Sequence, residues 1–156
     1  MLRFLVLTAS HLFMLGAGFA LGVYLLPILT APPSPDQAAL EASAQDAVFA
    51  GTFTRDLRGS DALHWGEGSV SLTPTQIVHE GRLSPGPDYK LYLVDRFVEH
   101  EDEFLPIKDA ALRIGDVKTF DGFILDVPKG VDLEAYTTVL IWCEAFSEFI
   151  TATEYR

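Results

Sequence analysis

The chain has 156 residues, enough for one domain and an appendage, and carries 22 acids against 11 bases for a formal net charge of −11. That acidity argues against nucleic acid and anionic lipid headgroups as partners. A single cysteine, Cys143, excludes an internal disulfide.

The first element is apolar. Phe4 to Leu29 contains no Asp, Glu, Lys or Arg, and about 20 such residues span a bilayer as a helix. The run is longer than the apolar core of a secretory signal, about 7–15 residues. Cleavage after Ala20 would leave an apolar tail, and cleavage after Ala31 would put Pro32 behind the cut. Residues 1–29 are therefore expected to be an uncleaved membrane anchor. Arg3 and the amino terminus are the only positive charges near either end. By the positive-inside rule Met1 is cytoplasmic and the remainder extracytoplasmic, periplasmic or extracellular. Gly18-x-x-x-Gly22 matches a helix-dimerisation spacing, but glycine is common in such helices without that role.

Residues 30–47 form a Pro- and Ala-rich linker. Pro32, Pro33 and Pro35 stiffen its start. Ser34 is expected to cap a short helix, with Pro35 at its first position and Gln37 reaching back to the cap. About three turns are marginal alone, so this helix must lean on the domain or fray.

From Val48 the apolar pattern has period two. Strands are expected at Val48–Phe53, Ser69–Leu72, Gln76–Leu83, Tyr89–Val94, Leu112–Val117, Phe120–Val127, Thr137–Ala145 and Phe149–Tyr155. Turn signals separate them at Gly66–Gly68, Thr73-Pro74, Pro85-Gly86-Pro87-Asp88, Asp121-Gly122 and Pro128-Lys129-Gly130. Asp121-Gly122 reads either as a turn or as a bulge within one strand. No helical stretch is expected among them. Residues 48–156 are thus an all-β domain, an antiparallel sandwich or barrel of about eight strands, behind a transmembrane helix. In Thr137–Ala145, Val139, Ile141 and Cys143 share one face and Leu140 and Trp142 the other. Apolar residues on both faces mark a central strand, covered on both sides.

The order of landmarks from Val48 to Tyr155 resembles the DM-thirteen domain family, whose members often stand beside DOMON domains in secreted and membrane proteins. The landmarks are Gly51-Thr52-Phe53, His64, Gly68-Ser69-Val70, Pro85-Gly86-Pro87-Asp88 before Tyr89-Lys90-Leu91-Tyr92-Leu93, and Val139-Leu140-Ile141-Trp142-Cys143-Glu144-Ala145-Phe146. One segment departs from the pattern. The glycine-rich leucine–lysine piece reads Ile114-Gly115-Asp116-Val117-Lys118-Thr119-Phe120, and Phe123 stands near the family's tyrosine. The resemblance implies a redox or electron-transfer accessory role centred on Cys143, with a redox or membrane protein as partner.

Read from the residues themselves, Cys143 is either a small buried hydrophobe or a thiol that cycles through a sulfenic acid or mixed disulfide. Glu144 beside it disfavours a thiolate. The rival to a redox role is a non-catalytic, membrane-tethered module that binds a protein or ligand. His64, His79 and Cys143 supply three ligand types of a copper site, without characteristic spacing and with both methionines at or within the membrane segment. No Cys-x-x-Cys-His motif exists for covalent haem, and no cofactor is named by the sequence. Glu99-His100-Glu101-Asp102-Glu103 reads as a solvated acidic loop or a weak cation site. Ser69 and Ser84 lack a nucleophile-elbow context, and no dehydrogenase fingerprint is present.

Overall fold

A computed structural model describes residues 1–156. Helix α1, Leu2–Thr30, contains 29 residues and none of them is buried. It is long and apolar enough to cross a membrane. Helix α2, Gln37–Ala44, starts two residues later than the Ser34 reading requires: Asp36 is its N-cap and accepts a 2.8 Å bond from the Ala39 amide. A carboxylate satisfies an orphan amide and meets the positive end of the helix dipole, which a serine does less well. The Gln37 side chain is thereby freed to reach Glu41 and Glu80. Leu40, 4% exposed, fastens α2 onto the domain.

Eight strands follow: β1 Phe49–Phe53, β2 Gly66–Leu72, β3 Gln76–Leu83, β4 Tyr89–Val94, β5 Leu112–Val117, β6 Phe123–Asp126, β7 Thr138–Cys143 and β8 Glu148–Glu154. They form two four-stranded antiparallel sheets, ordered β1-β2-β3-β6 and β5-β4-β7-β8. The architecture is a sandwich, with α2 packed on β3 and β6. The segment around Asp121-Gly122 is a turn. Gly122 has φ of +89°, which favours glycine, and its carbonyl accepts a 2.6 Å bond from the Thr119 hydroxyl. This turn carries the chain from one sheet to the other, so β6 is shorter than its expected span.

The two faces of β7 serve two cores. Val139, Ile141 and Cys143 join Phe53, Leu72, Ile77, Leu91 and Ile150 between the sheets. Leu140 and Trp142 point the other way, against Val98, Phe104 and Phe149. The cover on that outer face comes from the β4–β5 connection, where the sequence reading expected no helix. Helix α3, Glu101–Phe104, and a 3₁₀ segment, Leu105–Ala110, lie there. Their signals are His100 at the N-cap, three acids in the first turn and Pro106 at the next start. They were masked because each helix is shorter than a periodicity window.

Candidate functional site

Cys143 is the last residue of β7, paired with Tyr89 of β4 and Glu148 of β8. That position puts it at one end of the sandwich, where core gives way to turns. The turn on one side is Pro85–Asp88. Asp88 has φ of +56°, and its carbonyl accepts the Glu144 amide at 3.1 Å. This holds the Pro87 carbonyl over the sulfur, and the Cys143 thiol donates to it at 3.0 Å. The turn on the other side, Glu144–Ser147, aims the Ala145 and Phe146 amides at the sulfur.

Cys143 is 3% exposed. Burial pushes its pKa up, and the nearby carboxylates of Asp88 and Glu148 push the same way, while the Ala145 and Phe146 amides oppose them. The balance is a raised pKa, so the resting group is a protonated thiol. No lysine faces it. Lys90 is held by Asp88 and Asp116, and Lys108 by Glu144.

Cys143 lines a cavity of about 490 Å³ with Leu63, His64, Pro87, Tyr89 and Phe146, whose far wall is formed by α1 residues Phe19–Leu21, Val23 and Tyr24. His64 thus reaches the same end of the sandwich. Its ring nitrogen Nδ1 lies 3.1 Å from an Asp61 carboxylate oxygen, and its amide donates to the other oxygen at 2.7 Å, so the residue is fixed by its own loop. His79 is elsewhere. It is fully buried between the sheets, its ring centroid 5.3 Å from Phe53 and 5.1 Å from Phe123. The copper grouping of His64, His79 and Cys143 is therefore not assembled, and no cluster of three His, Cys, Asp or Glu side chains has metal-binding geometry.

Glu99–Glu103 is not a loose loop. Arg58 pairs with Asp102 at 2.8 Å and Glu103 at 2.6 Å, and Glu101 accepts the Phe149 amide at 2.9 Å. An arginine occupies the place a cation would take.

Behind Cys143, on the outer face, lies a second polar group that the sequence reading did not find. Tyr92 and Lys108 both donate to the Glu144 carboxylate. Burial works to raise the pKa of Glu144, but these two donors outweigh it and hold the carboxyl below its usual range. The Trp142 ring packs against Phe104 at 4.9 Å, with the Lys108 ammonium 5.5 Å from its centroid. These residues are separated by 36 and 52 positions in the chain, so no local spacing announces them. The Pro87 carbonyl was equally hidden, because backbone acceptors leave no residue-type signal.

The fold and site define a small two-sheet module with one free thiol, closed over by a proline turn at one end of the sandwich. A family model for the electron transfer DM13 domain matches residues 53–155, and the chain belongs to that family. No curated protein and no solved structure matched it.

Proposed function

We propose that the protein is a membrane-anchored, extracytoplasmic electron-transfer accessory module whose working group is the Cys143 thiol. The observation that carries this reading is the position of Cys143. The one cysteine of an electron transfer DM13 domain stands at the rim of a cavity, beneath a single turn, instead of at the centre of the sandwich. Anchoring rests on the length and apolar character of α1, and orientation on Arg3 at its start.

The chemistry available is thiol–disulfide exchange. The proton leaves Sγ to solvent, and the thiolate attacks one sulfur of a partner disulfide. A Cys143–partner S–S bond forms as the partner's S–S bond breaks, and the second partner sulfur departs as a thiolate. Cys143 is oxidised and the departing partner sulfur is reduced. A thiolate of a second partner then attacks the first partner's sulfur in this mixed disulfide, a partner–partner S–S bond forms, and Cys143 leaves as a thiolate that regains its proton. The raised pKa keeps the thiolate fraction low at neutral pH, so the first step is slow there and quickens as pH rises.

The rival reading, a membrane-tethered binding module with a structural thiol, is favoured by one observation, the 3% exposure of Cys143 with its S–H bond satisfied by Pro87. The two are separated by titrating Cys143 in the folded full chain with a thiol reagent between pH 6 and 10. For a redox thiol, labelling proceeds in the native state, rises with pH through a raised pKa, and Cys143→Ala retains most of the wild-type stability. For a structural thiol, labelling waits for global unfolding and the alanine variant falls about 1–3 kcal/mol below wild type, because the buried Pro87 carbonyl loses its donor, which a serine hydroxyl can replace. The second pair of results would reject the redox role.

A further inference from the structure

We infer that the end of the sandwich bearing Cys143 docks on the lipid surface of the membrane that holds α1, with Phe146 and Leu63 entering the boundary between headgroups and acyl chains. This inference rests on the anchored reading of α1.

The first support is the tether. Helix α1 ends at Thr30 and α2 begins at Gln37, leaving Ala31–Asp36 between them. Three of those residues are prolines. Fully extended, such a segment spans about 20 Å. The far end is not free, because Leu40 fixes α2 against the domain. The domain therefore stays within a few turns' length of the bilayer surface.

The second support is the length of α1. Its 29 residues make a rod of about 43 Å, against about 30 Å of hydrocarbon. With the first turn at the cytoplasmic boundary, about nine residues, Gly22–Thr30, rise through the headgroup layer, and Phe19–Leu21 mark the far hydrocarbon boundary. Tyr24 then falls at the depth where tyrosine is enriched. The α1 residues that line cavities shared with the domain belong to this same stretch. Phe19, Val23 and Tyr24 wall the cavity beside Cys143, and Leu26, Pro27 and Thr30 wall a neighbouring cleft of about 770 Å³ against Lys90, Lys118 and Phe120. The domain end is thus level with the headgroups.

The third support is what that end exposes. Phe146 is 49% exposed and Leu63 is 58% exposed, and both belong to turns beside the cavity. A phenylalanine and a leucine at loop tips gain by entering acyl chains. The nearest charges lean acidic, with the single Lys90 shared between Asp88 and Asp116. The overall acidity of the chain then selects zwitterionic lipid over anionic lipid. In the membrane, the open space between α1 and the domain is filled by lipid.

The test uses the full chain carrying Phe146→Trp, reconstituted in phosphatidylcholine vesicles with acyl chains brominated near the headgroup, and in unbrominated ones. The expected result is at least two-fold quenching of the emission added by the new tryptophan, with the native Trp65 and Trp142 signal of the parent chain changed far less. Adding Leu63→Asp restores the emission. Leu63→Trp repeats the measurement should Phe146→Trp unfold the domain, which thermal melting reports. Equal emission in both vesicles, from a chain that resists carbonate extraction, overturns the docking while leaving the anchor intact, and points to a protein as the partner of this surface. A chain released by carbonate overturns the anchor and the docking together.

Discussion

His79 offers a quantitative check on the sandwich interior. Its Nε2 lies 3.1 Å from the Glu67 carbonyl. A carbonyl only accepts, so Nε2 carries the proton and Nδ1 is left as a buried acceptor without a partner. Protonating Nδ1 would place a charge among Phe53 and Phe123. Burial lowers the His79 pKa from 6.5 to about 4, with the Glu67 bond opposing only in part. The folded pKa is below the unfolded one, so the unfolded chain binds the proton first. This contribution is fully present above pH 6.5 and is lost as pH falls toward 4. Linkage gives a loss of about 2 kcal/mol at pH 5 and about 3 kcal/mol at pH 4, relative to neutral pH. For a domain of this size, 2 kcal/mol lowers Tm by about 10 °C. The assay is thermal unfolding of the detergent-solubilised full chain, followed by fluorescence of the buried Trp142, for wild type and His79→Phe between pH 7.5 and 4. Phenylalanine keeps a ring between Phe53 and Phe123 and cannot titrate. The carboxylates contribute equally to both proteins, so the difference isolates the histidine. Wild type must lose about 2 kcal/mol more than the variant between pH 7.5 and 5. Parallel profiles would refute the reasoning, because they would mean that water or a rearranged interior solvates the charged ring.

Trp142→Ala empties the centre of the outer core beside Phe104 and Phe149 and is expected to cost about 3–5 kcal/mol in urea unfolding. Gly81→Ala puts a methyl 2.0 Å from the Glu67 carbonyl oxygen and 2.7 Å from the Gly68 Cα, both backbone atoms that cannot swing aside. The β2–β3 pairing must shift, and a stability loss of about 1–3 kcal/mol or more is expected, measured as a lower Tm with β-sheet content retained. Arg58→Ala unpairs Asp102 and Glu103, but these partners are exposed, so the change is expected to stay within about 1 kcal/mol and to shrink further in high salt. In membranes from cells expressing the full chain, carbonate washing is expected to leave the protein in the pellet and external protease to reach the domain only from the extracytoplasmic side.

Much of the fold was legible from local chemistry. Period two from Val48 onward, broken by proline and glycine turns, marked the strands, although Gly66–Gly68, which reads as a turn, is the start of β2. A strand with Val139, Ile141 and Cys143 on one side and Leu140 and Trp142 on the other must be covered twice, and β7 does lie between β4 and β8 with a core on each face. The long uncharged run at Phe4–Leu29 likewise implies a helix by composition alone. What the sequence could not supply is what covers each face. Short helices with three acids and a proline carry too little periodicity to announce the cap over Trp142, and only the packed chain puts Phe104 there. The sites divide in the same way. Residue type singled out Cys143 as the one thiol, His64 and His79 as candidate ligands, and Glu99–Glu103 as an acidic run. Tertiary structure decided their surroundings, setting His79 in the interior, Arg58 on the acids and the Pro87 carbonyl on the sulfur. The physical reason is range. Backbone periodicity and turn preference act over a few residues, whereas burial, charge pairing and the pKa of a thiol depend on groups brought together from distant positions, such as Pro87 and Cys143, 56 positions apart.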